Sequence, residues 1–191
     1  MKKLLRRKKF LLSVVALLLV TYQLVTGSDI KTLVPALTPS PQTAVQGLHT
    51  DRQEAKVVKV VDGDTLTVLI AGEKEKVRVI GINTPETVDP RRGVQCFGKE
   101  ASAFAKKILS EQTVFLESDS TQSNRDKYSR LLRHVWLAKG NVNVGQLLIS
   151  EGYANEYTYE TPYKYQQVYQ KAEQQAQQAK KGLWADNACI Q

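Results

Sequence analysis

The chain has 191 residues, of which 42% are hydrophobic, and its formal net charge is +8. A chain of this length has enough residues for one core of moderate size and not comfortably for two, which favours a single domain. Six of the charges lie within the first nine residues (Lys2, Lys3, Arg6, Arg7, Lys8 and Lys9), leaving +2 (8 − 6) for the rest, so any attraction for nucleic acid must come from a local patch rather than from bulk charge.

The N-terminus has the pattern of an export signal. The basic run precedes Phe10–Val20, FLLSVVALLLV, an apolar stretch with the length of a signal-peptide core, and apolar residues continue to Val25. Residues 1–26 therefore predict either a signal peptide that is cleaved before Ser28 or a signal anchor that stays in the membrane. We expect an exported protein, which is secreted or anchored to the outer face of the cell membrane.

Residues 27–53 predict a flexible tether. Pro35, Pro39 and Pro41 lie among Thr, Ser and Gln, with no sustained period of 2 or 3.6. An irregular strand against the domain is the alternative, although the segment has few apolar residues to bury. Residues 54–191 then form one folded domain.

Strands dominate the first part of this domain. Branched and polar residues alternate along Val57–Ile70, which must bend at Asp62-Gly63-Asp64 and so counts as two strands. Ala71-Gly72-Glu73 predicts a hairpin turn before a strand at Lys76–Ile82. Two more strands are predicted at Thr113–Glu117 and Arg130–Leu137, on either side of a long loop.

Three helices are predicted between and after the strands. Lys99–Leu109 has a helical apolar stripe, and Val142–Glu151 predicts a short helix with Val144, Leu147 and Leu148 inward. A longer helix is predicted from Pro162, with Tyr165, Val168, Tyr169, Ala172, Ala176 and Ala179 inward and Trp184 at its end. Five strands capped by three helices predict an α+β, β-dominated fold, a five-stranded OB-fold barrel.

Polar residues suited to phosphodiester chemistry are concentrated between Val60 and Glu86. This stretch contains Asp64, Arg78, Asn83, Thr84 and Glu86, and a second candidate arginine, Arg130, follows in Asp126-Lys127-Tyr128-Ser129-Arg130. Oxygen ligands suit a hard cation, and guanidinium groups suit a phosphate. Each residue also has a plain interpretation, since DGDT is a common turn, Arg78 fits a solvent-facing strand position, Thr84-Pro85-Glu86 can begin a helix, and Arg130 can pair with Asp126.

Taken together, the motifs resemble those of the staphylococcal nuclease (thermonuclease) family. The resemblance rests on DGDT at 62–65, RVIGINTPE at 78–86 and DKYSR at 126–130, and it extends from about Lys56 to Trp184. It implies an OB-fold barrel and a calcium-dependent nuclease that hydrolyses phosphodiester bonds of DNA, with RNA as a second candidate substrate and 3′-phosphate ends as products.

The resemblance also implies roles for individual residues. Asp64, Asn83 and the backbone carbonyl of Thr84 match calcium ligands, Arg78 and Arg130 match phosphate clamps, and Glu86 matches the carboxylate that activates or orients the attacking water. The substrate-binding surface would include Lys127, Tyr128, Tyr157 and Tyr159, whose rings can stack on any base.

One residue departs from the family pattern. Asn83 stands where the family archetype has Asp, so the predicted site keeps an oxygen ligand and loses one negative charge. A weakened calcium site is one consequence. The alternative is an OB-fold module that binds nucleic acid and has lost catalysis.

Two further features concern the cysteines and histidines. Cys96 and Cys189 are the only cysteines, and export to an oxidising compartment predicts a disulfide between them. His134 stands without a second His or a Cys nearby, which predicts a packing role rather than a zinc site. We expect a monomer that meets DNA or RNA as substrate, and the membrane only through an uncleaved N-terminus.

Overall fold

The computed structural model describes residues 51–87 and 93–189. The predicted export signal and residues 27–50 of the predicted tether lie outside the described residues. Within the described ranges, no helix has the length and apolar character needed to cross a membrane.

The described part of the chain forms eight strands, five of which build a closed barrel. The strands are β1 (Arg52–Val60), β2 (Thr65–Ile70), β3 (Glu73–Val79), β4 (Ile82–Asn83), β5 (Thr113–Glu117), β6 (Leu131–Leu137), β7 (Val142–Asn143) and β8 (Asn155–Glu156). The order around the sheet is β3-β2-β1-β5-β6, and β6 returns to pair in parallel with β3, which closes the barrel. This arrangement confirms the predicted β-dominated α+β fold with a five-stranded OB-type barrel.

The alternation of side chains explains why these segments form a barrel. Leu66 and Val68 on β2 and Val77 on β3 are completely buried, whereas the residues between them are partly or fully exposed. Each strand thus gives one row of branched side chains to a common interior, and burial of such side chains provides about 1.5–3 kcal/mol apiece. The other interior side chains include Val57, Val114, Leu116, Leu131 and Val135.

Within the described residues, three helices pack against the barrel. They are α1 (Gly98–Leu109), α2 (Val144–Ser150) and α3 (Gln166–Gln178), followed by a 3₁₀ turn at Gly182–Trp184. Asn143 caps α2 by accepting a hydrogen bond from the Gln146 N–H at 3.0 Å, and it also accepts one from the buried Tyr169 hydroxyl at 2.7 Å. One side chain therefore ties β7, α2 and α3 together.

The start of the barrel differs from the prediction. β1 begins at Arg52, inside the segment assigned to the tether, because Arg52 has partners far along the chain. Its Nε donates to Glu117 at 2.9 Å, and its guanidinium lies 3.7 Å from the centre of the Trp136 ring. The predicted strand at 76–82 is likewise two strands, because the chain turns at Gly81 with φ of +80°.

The helical predictions need three corrections. The segment from Val142 begins as β7, with α2 starting at Val144. Helix α3 starts at Gln166, four residues after Pro162, and Tyr169, Ala172 and Ala176 form its buried face. Val168 and Ala179, predicted to face inward, are exposed, because the stripe that meets the core on this helix is narrow.

Candidate active site

The turn after β1 delivers Asp64 to the end of the barrel. Asp62 Oδ1 accepts hydrogen bonds from the backbone N–H groups of Asp64 at 3.1 Å and Thr65 at 2.7 Å. This is the local side-chain turn that DGDT suggests, and its effect is to fix the direction of Asp64. Burial raises the pKa of Asp62 to about 6, and the neighbouring Asp64 carboxylate acts in the same direction.

Asp64 is held rigidly against the strand end that carries Thr84. Its Oδ2 accepts from the Thr84 backbone N–H at 2.9 Å and hydroxyl at 3.1 Å, and its Oδ1 accepts from the Thr65 hydroxyl at 3.1 Å. Gly63 permits this approach, since a Cβ there would lie 2.5 Å from the Thr84 methyl carbon. The Asp64 and Thr84 side chains are both buried. Although they are twenty residues apart in sequence, their hydrogen bonds join them into one unit.

Arg78 lies beside this unit rather than in open solvent. Its Cα partner across β2 and β3 is Thr65, and only 15% of its side chain is exposed. One guanidinium nitrogen forms an ion pair with Asp64 Oδ1, while the other donates to the Asn83 side-chain oxygen at 3.4 Å. A single guanidinium thus bridges two of the predicted calcium ligands.

Arg130 enters the same site from the beginning of β6. Its Nε donates to Asp126 Oδ2 at 2.7 Å, and its Nη1 reaches the Thr65 hydroxyl at 3.2 Å. The plain pairing with Asp126 therefore exists, and it orients the guanidinium towards the site. Burial alone would raise the pKa of Asp126, but hydrogen bonds from the Arg130 backbone and side chain outweigh it and keep that pKa below its usual value.

Glu86 lies on the loop after β4 and not at a helix start, since α1 begins at Gly98. Its backbone N–H donates to the Gln95 side-chain oxygen at 2.8 Å, and its carbonyl accepts from the Gln95 backbone N–H at 2.9 Å. Its carboxylate accepts from the Thr87 N–H at 2.8 Å. Gln95 therefore clamps the segment that carries Glu86.

A cleft of about 670 Å³ opens next to these groups. Its lining includes Arg78, Asn83, Lys127, Tyr128, Arg130, Tyr157 and Tyr159. The exposed fractions of Tyr128 and Tyr159 are 66% and 68%, and the Arg130 guanidinium lies 5.4 Å from the centre of the Tyr128 ring. Both predicted clamps and all four predicted substrate-binding residues thus share one cleft, whereas Asp64, Thr84 and Glu86 are not part of its lining.

The candidate ligand set suits a hard cation. Asp64 offers a carboxylate, Asn83 an amide oxygen and Thr84 a backbone carbonyl, all oxygen donors of the kind that calcium prefers. Among the described residues no three His, Cys, Asp or Glu side chains converge, and this set requires only one carboxylate. The residues present therefore fit calcium with a low count of negative charges.

Cys96 and Cys189 are joined by a disulfide with a Cα–Cα distance of 5.7 Å. Cys96 is adjacent to Gln95, so the covalent link anchors the clamp on Glu86 to the C-terminal tail. Of these positioning residues, the sequence prediction missed Gln95 and the bridging role of Thr65. The DGDT motif was a signal for Thr65, but no motif indicates a hydrogen bond between Gln95 and Glu86.

The sequence of this chain is similar to those of known nucleases. The model of a family described as staphylococcal nuclease homologues matches residues 76–186, which include every predicted site residue except Asp64 and Cys189. The thermonuclease of Staphylococcus hyicus is 41% identical over 138 residues, which cover 72% of this chain and 79% of that protein. The thermonuclease of Staphylococcus intermedius is 41% identical over 134 residues, covering 70% and 77%. The endonuclease YncB of Bacillus subtilis strain 168 is 31% identical over 150 residues, covering 75% and 70%.

Proposed function

Because this chain belongs to the staphylococcal nuclease family, we propose that it is an exported nuclease that uses calcium to hydrolyse phosphodiester bonds of DNA, with RNA as a second substrate. Membership of this family indicates a hydrolase that acts on the phosphodiester bonds of nucleic acids. The observation that carries the finer proposal is the convergence of Arg78 and Arg130 on Asp64 and Thr65 at the edge of one cleft.

The two arginines are proposed to bind the scissile phosphate. Attack on a phosphodiester concentrates negative charge on the nonbridging oxygens, and planar guanidiniums stabilise that charge when their direction is fixed beforehand. Asp126 fixes Arg130, and the pairing with Asp64 and Asn83 fixes Arg78. Loss of one such preorganised donor typically costs about 3–4 kcal/mol of barrier.

Calcium is proposed to be held by Asp64, Asn83 and the Thr84 carbonyl. When bound, it would supply positive charge for the phosphate and lower the pKa of a water molecule. The contribution of the chain is orientation, because Thr84 and Thr65 hold the Asp64 carboxylate by three hydrogen bonds before any cation arrives.

Glu86 is proposed to orient the attacking water and accept its proton. Its backbone is fixed by Gln95 on one side, and it follows Thr84 by two residues, so the proposed base and the proposed metal ligand share a short, constrained segment. The tyrosines that line the cleft, Tyr128, Tyr157 and Tyr159, would stack on bases without sequence preference, and Lys127 would neutralise a phosphate. Products with 3′-phosphate ends belong to the same proposal.

Export is proposed from two independent features. The first is the basic and apolar pattern of residues 1–26. The second is the disulfide between Cys96 and Cys189, since such bonds persist in oxidising compartments. Extracellular calcium sites work with dissociation constants of about 10⁻⁴–10⁻³ M, so a site with Asn83 in place of a charged ligand is suited to that environment.

Degradation of labelled DNA and RNA by the purified full-length protein, with calcium or with chelator, tests the proposal. We expect calcium-dependent cleavage and 3′-phosphate ends, and we expect Glu86→Gln to lose turnover by orders of magnitude while it binds oligonucleotide as wild type does. Wild-type protein that binds oligonucleotide but cuts nothing at millimolar calcium would establish the binding-module alternative instead.

A further inference from the structure

The outer face of β1, β2 and β3 carries four exposed lysines in two adjacent rows. In the first row Lys59, Thr67 and Lys76 are directly opposite one another across the three strands. In the second row Lys56, Leu69 and Lys74 are opposite one another. Opposite residues share a face, so Lys56, Lys59, Lys74 and Lys76 form one patch, which we call the lysine track.

The track continues directly into the candidate active site. Arg78 follows Lys76 on the same face of β3, and its partner on β2 is Thr65, which binds Asp64 and Arg130. Residues two apart on a strand are separated by about 6.7 Å, so Lys74, Lys76 and Arg78 repeat at a spacing close to that of phosphates in an extended single strand.

Arg78 joins the track to the cleft that carries the tyrosines, because Arg78 lines that cleft and Lys74 and Lys76 do not. Beyond Arg78 in the chain direction come Asn83 and the β4–β8 pair, in which Asn83 is opposite Asn155, and Tyr157 follows directly. Lys76 and Lys74 lie in the reverse direction along β3. A strand whose scissile phosphate is bound at Arg78 would therefore extend from the tyrosine-lined cleft onto the lysines.

The nearby acidic side chains do not cancel the positive charge of this face. Glu73 and Glu75 alternate with the lysines on β3 and belong to the other face, and Glu75 is neutralised by two hydrogen bonds from Arg125 at 2.7 and 2.9 Å. Glu54 lies beyond Lys56 and ends the patch. The Lys56 ammonium donates to the Glu111 carbonyl, so Lys59, Lys74 and Lys76 are the better placed to meet a ligand.

We propose that the lysine track binds the phosphate backbone of the single strand that extends from the cleft past Arg78. This inference rests on the proposed nuclease function and adds to it a second part of the substrate site. It also supplies the local patch that a nearly neutral domain needs if it is to attract nucleic acid. Because the track offers charge without aromatic rings, it reads backbone and not base.

Salt dependence of binding, measured in chelator, tests the track without any contribution from cleavage. Binding of a 20-nucleotide single strand and of a dinucleotide would be compared for wild type and the triple variant K59Q/K74Q/K76Q. Each phosphate contact contributes about 0.7 to the slope of log K against log salt for single strands, so the long strand should lose about 2 from its slope. Dinucleotide binding should not change, because its single phosphate is bound at Arg78.

A matched control removes the same charge elsewhere. K106Q/K107Q/K171Q changes three exposed lysines on α1 and α3, and it should keep the wild-type slope. The variant K59R/K74R/K76R keeps the positive charges and should also keep the wild-type slope. This variant separates the effect of charge from any effect of the substitutions on folding. Equal loss in the track variant and the control, or no loss in either, would overturn the proposal.

A measurement on the wild type needs no variant. Bound 20-mer should protect Lys74 and Lys76 from acylation more than Lys106 and Lys107, and equal protection would contradict the track. Cleavage separates this proposal from the nuclease function, because the track variant should cut the dinucleotide at the wild-type rate. A wild-type protein that cuts nothing would overturn the nuclease function while the binding slopes still decide the track.

Discussion

Gln95 and Glu86 are joined by a reciprocal pair of hydrogen bonds, one from the Glu86 N–H to the Gln95 side-chain oxygen and one from the Gln95 N–H to the Glu86 carbonyl. The next residue along the chain, Cys96, is bonded covalently to Cys189. Next to it, Phe97 stacks on Tyr153 with ring centres 5.5 Å apart. The backbone of the proposed water-orienting residue is thus tied to the body of the domain through Gln95.

Replacing Gln95 by Ala should therefore lower kcat while leaving KM for a short substrate nearly unchanged. The lost hydrogen bond is worth about 1 kcal/mol, so a decrease of roughly five- to tenfold is expected. Gln95→Glu keeps an accepting oxygen and should restore most of the rate, and Gln170→Ala, on the exposed side of α3, is the matched control. Steady-state kinetics at saturating calcium gives the answer, and an unchanged kcat in Gln95→Ala would show that the clamp does not position Glu86.

Loss of the disulfide should lower stability and, through Gln95, turnover. The bond spans 93 positions, for which chain entropy suggests about 4–5 kcal/mol as an upper limit. Urea unfolding with and without reductant measures the effect. The double variant C96S/C189S should have the stability of reduced wild type, and reductant should not change it. Recovery of both cysteines as free thiols from protein purified without reductant would contradict the bond itself.

The strongly patterned parts of the fold were predictable from local sequence. β5 has the predicted bounds, Thr113–Glu117, and α1 begins one residue before the predicted start, because alternation and a helical stripe are local signals. The start of β1 was not predictable in this way. Arg52 is stabilised by Glu117 and Trp136, which are distant in sequence, and no local pattern reveals such partners.

In the candidate site, too, local motifs reveal some residues and not others. Asp64, Arg78 and Thr84 were found because their motifs occur together and in order, and the structure brings all three together. Gln95 was missed because its contribution is a hydrogen bond to a backbone group nine residues away, which many residue types can make.

Replacing Asn83 by Asp should move half-maximal activity to lower calcium. The change adds a charged ligand at nearly the same side-chain size, and calcium sites are tuned by their count of charged ligands. Asn155→Asp is the matched control, since Asn155 is opposite Asn83 across β4 and β8 and adds the same charge nearby. Calcium titrations of activity for the three proteins decide the matter, and equal midpoints for wild type and Asn83→Asp would show that Asn83 is not a ligand.

Finally, His134 should make the protein less stable as pH falls below about 6.5. The side chain is fully buried on β6, its Nε2 bonds to Asp119 at 3.0 Å, and its Nδ1 has no hydrogen-bond partner within the described part of the chain. Burial lowers the pKa of His134 and outweighs the opposing effect of the Asp119 carboxylate, because a proton on Nδ1 would be a buried donor without an acceptor. The other titratable groups around it are Glu117, Lys164, Tyr163, Tyr165 and Tyr169.

The sign of the effect follows from this lowered pKa. The histidine takes up a proton near pH 6.5 in the unfolded chain, but only at lower pH in the folded protein. The free energy of unfolding is therefore independent of this group above pH 6.5. Below that pH it decreases, by at most about 1.4 kcal/mol per pH unit. Asp119 affects stability only at lower pH. Burial opposes its ionisation, but hydrogen bonds from Lys164, His134 and Thr121 outweigh burial and hold its pKa at about 2. The stability that the ionised Asp119 contributes is therefore lost only below about pH 4. Urea unfolding between pH 7 and pH 5 should therefore show a smaller slope for His134→Gln than for wild type, whereas His49→Gln, which changes the other histidine of the chain, should keep the wild-type slope. A His134→Gln protein whose stability falls with pH as steeply as that of wild type would assign the titration to another group.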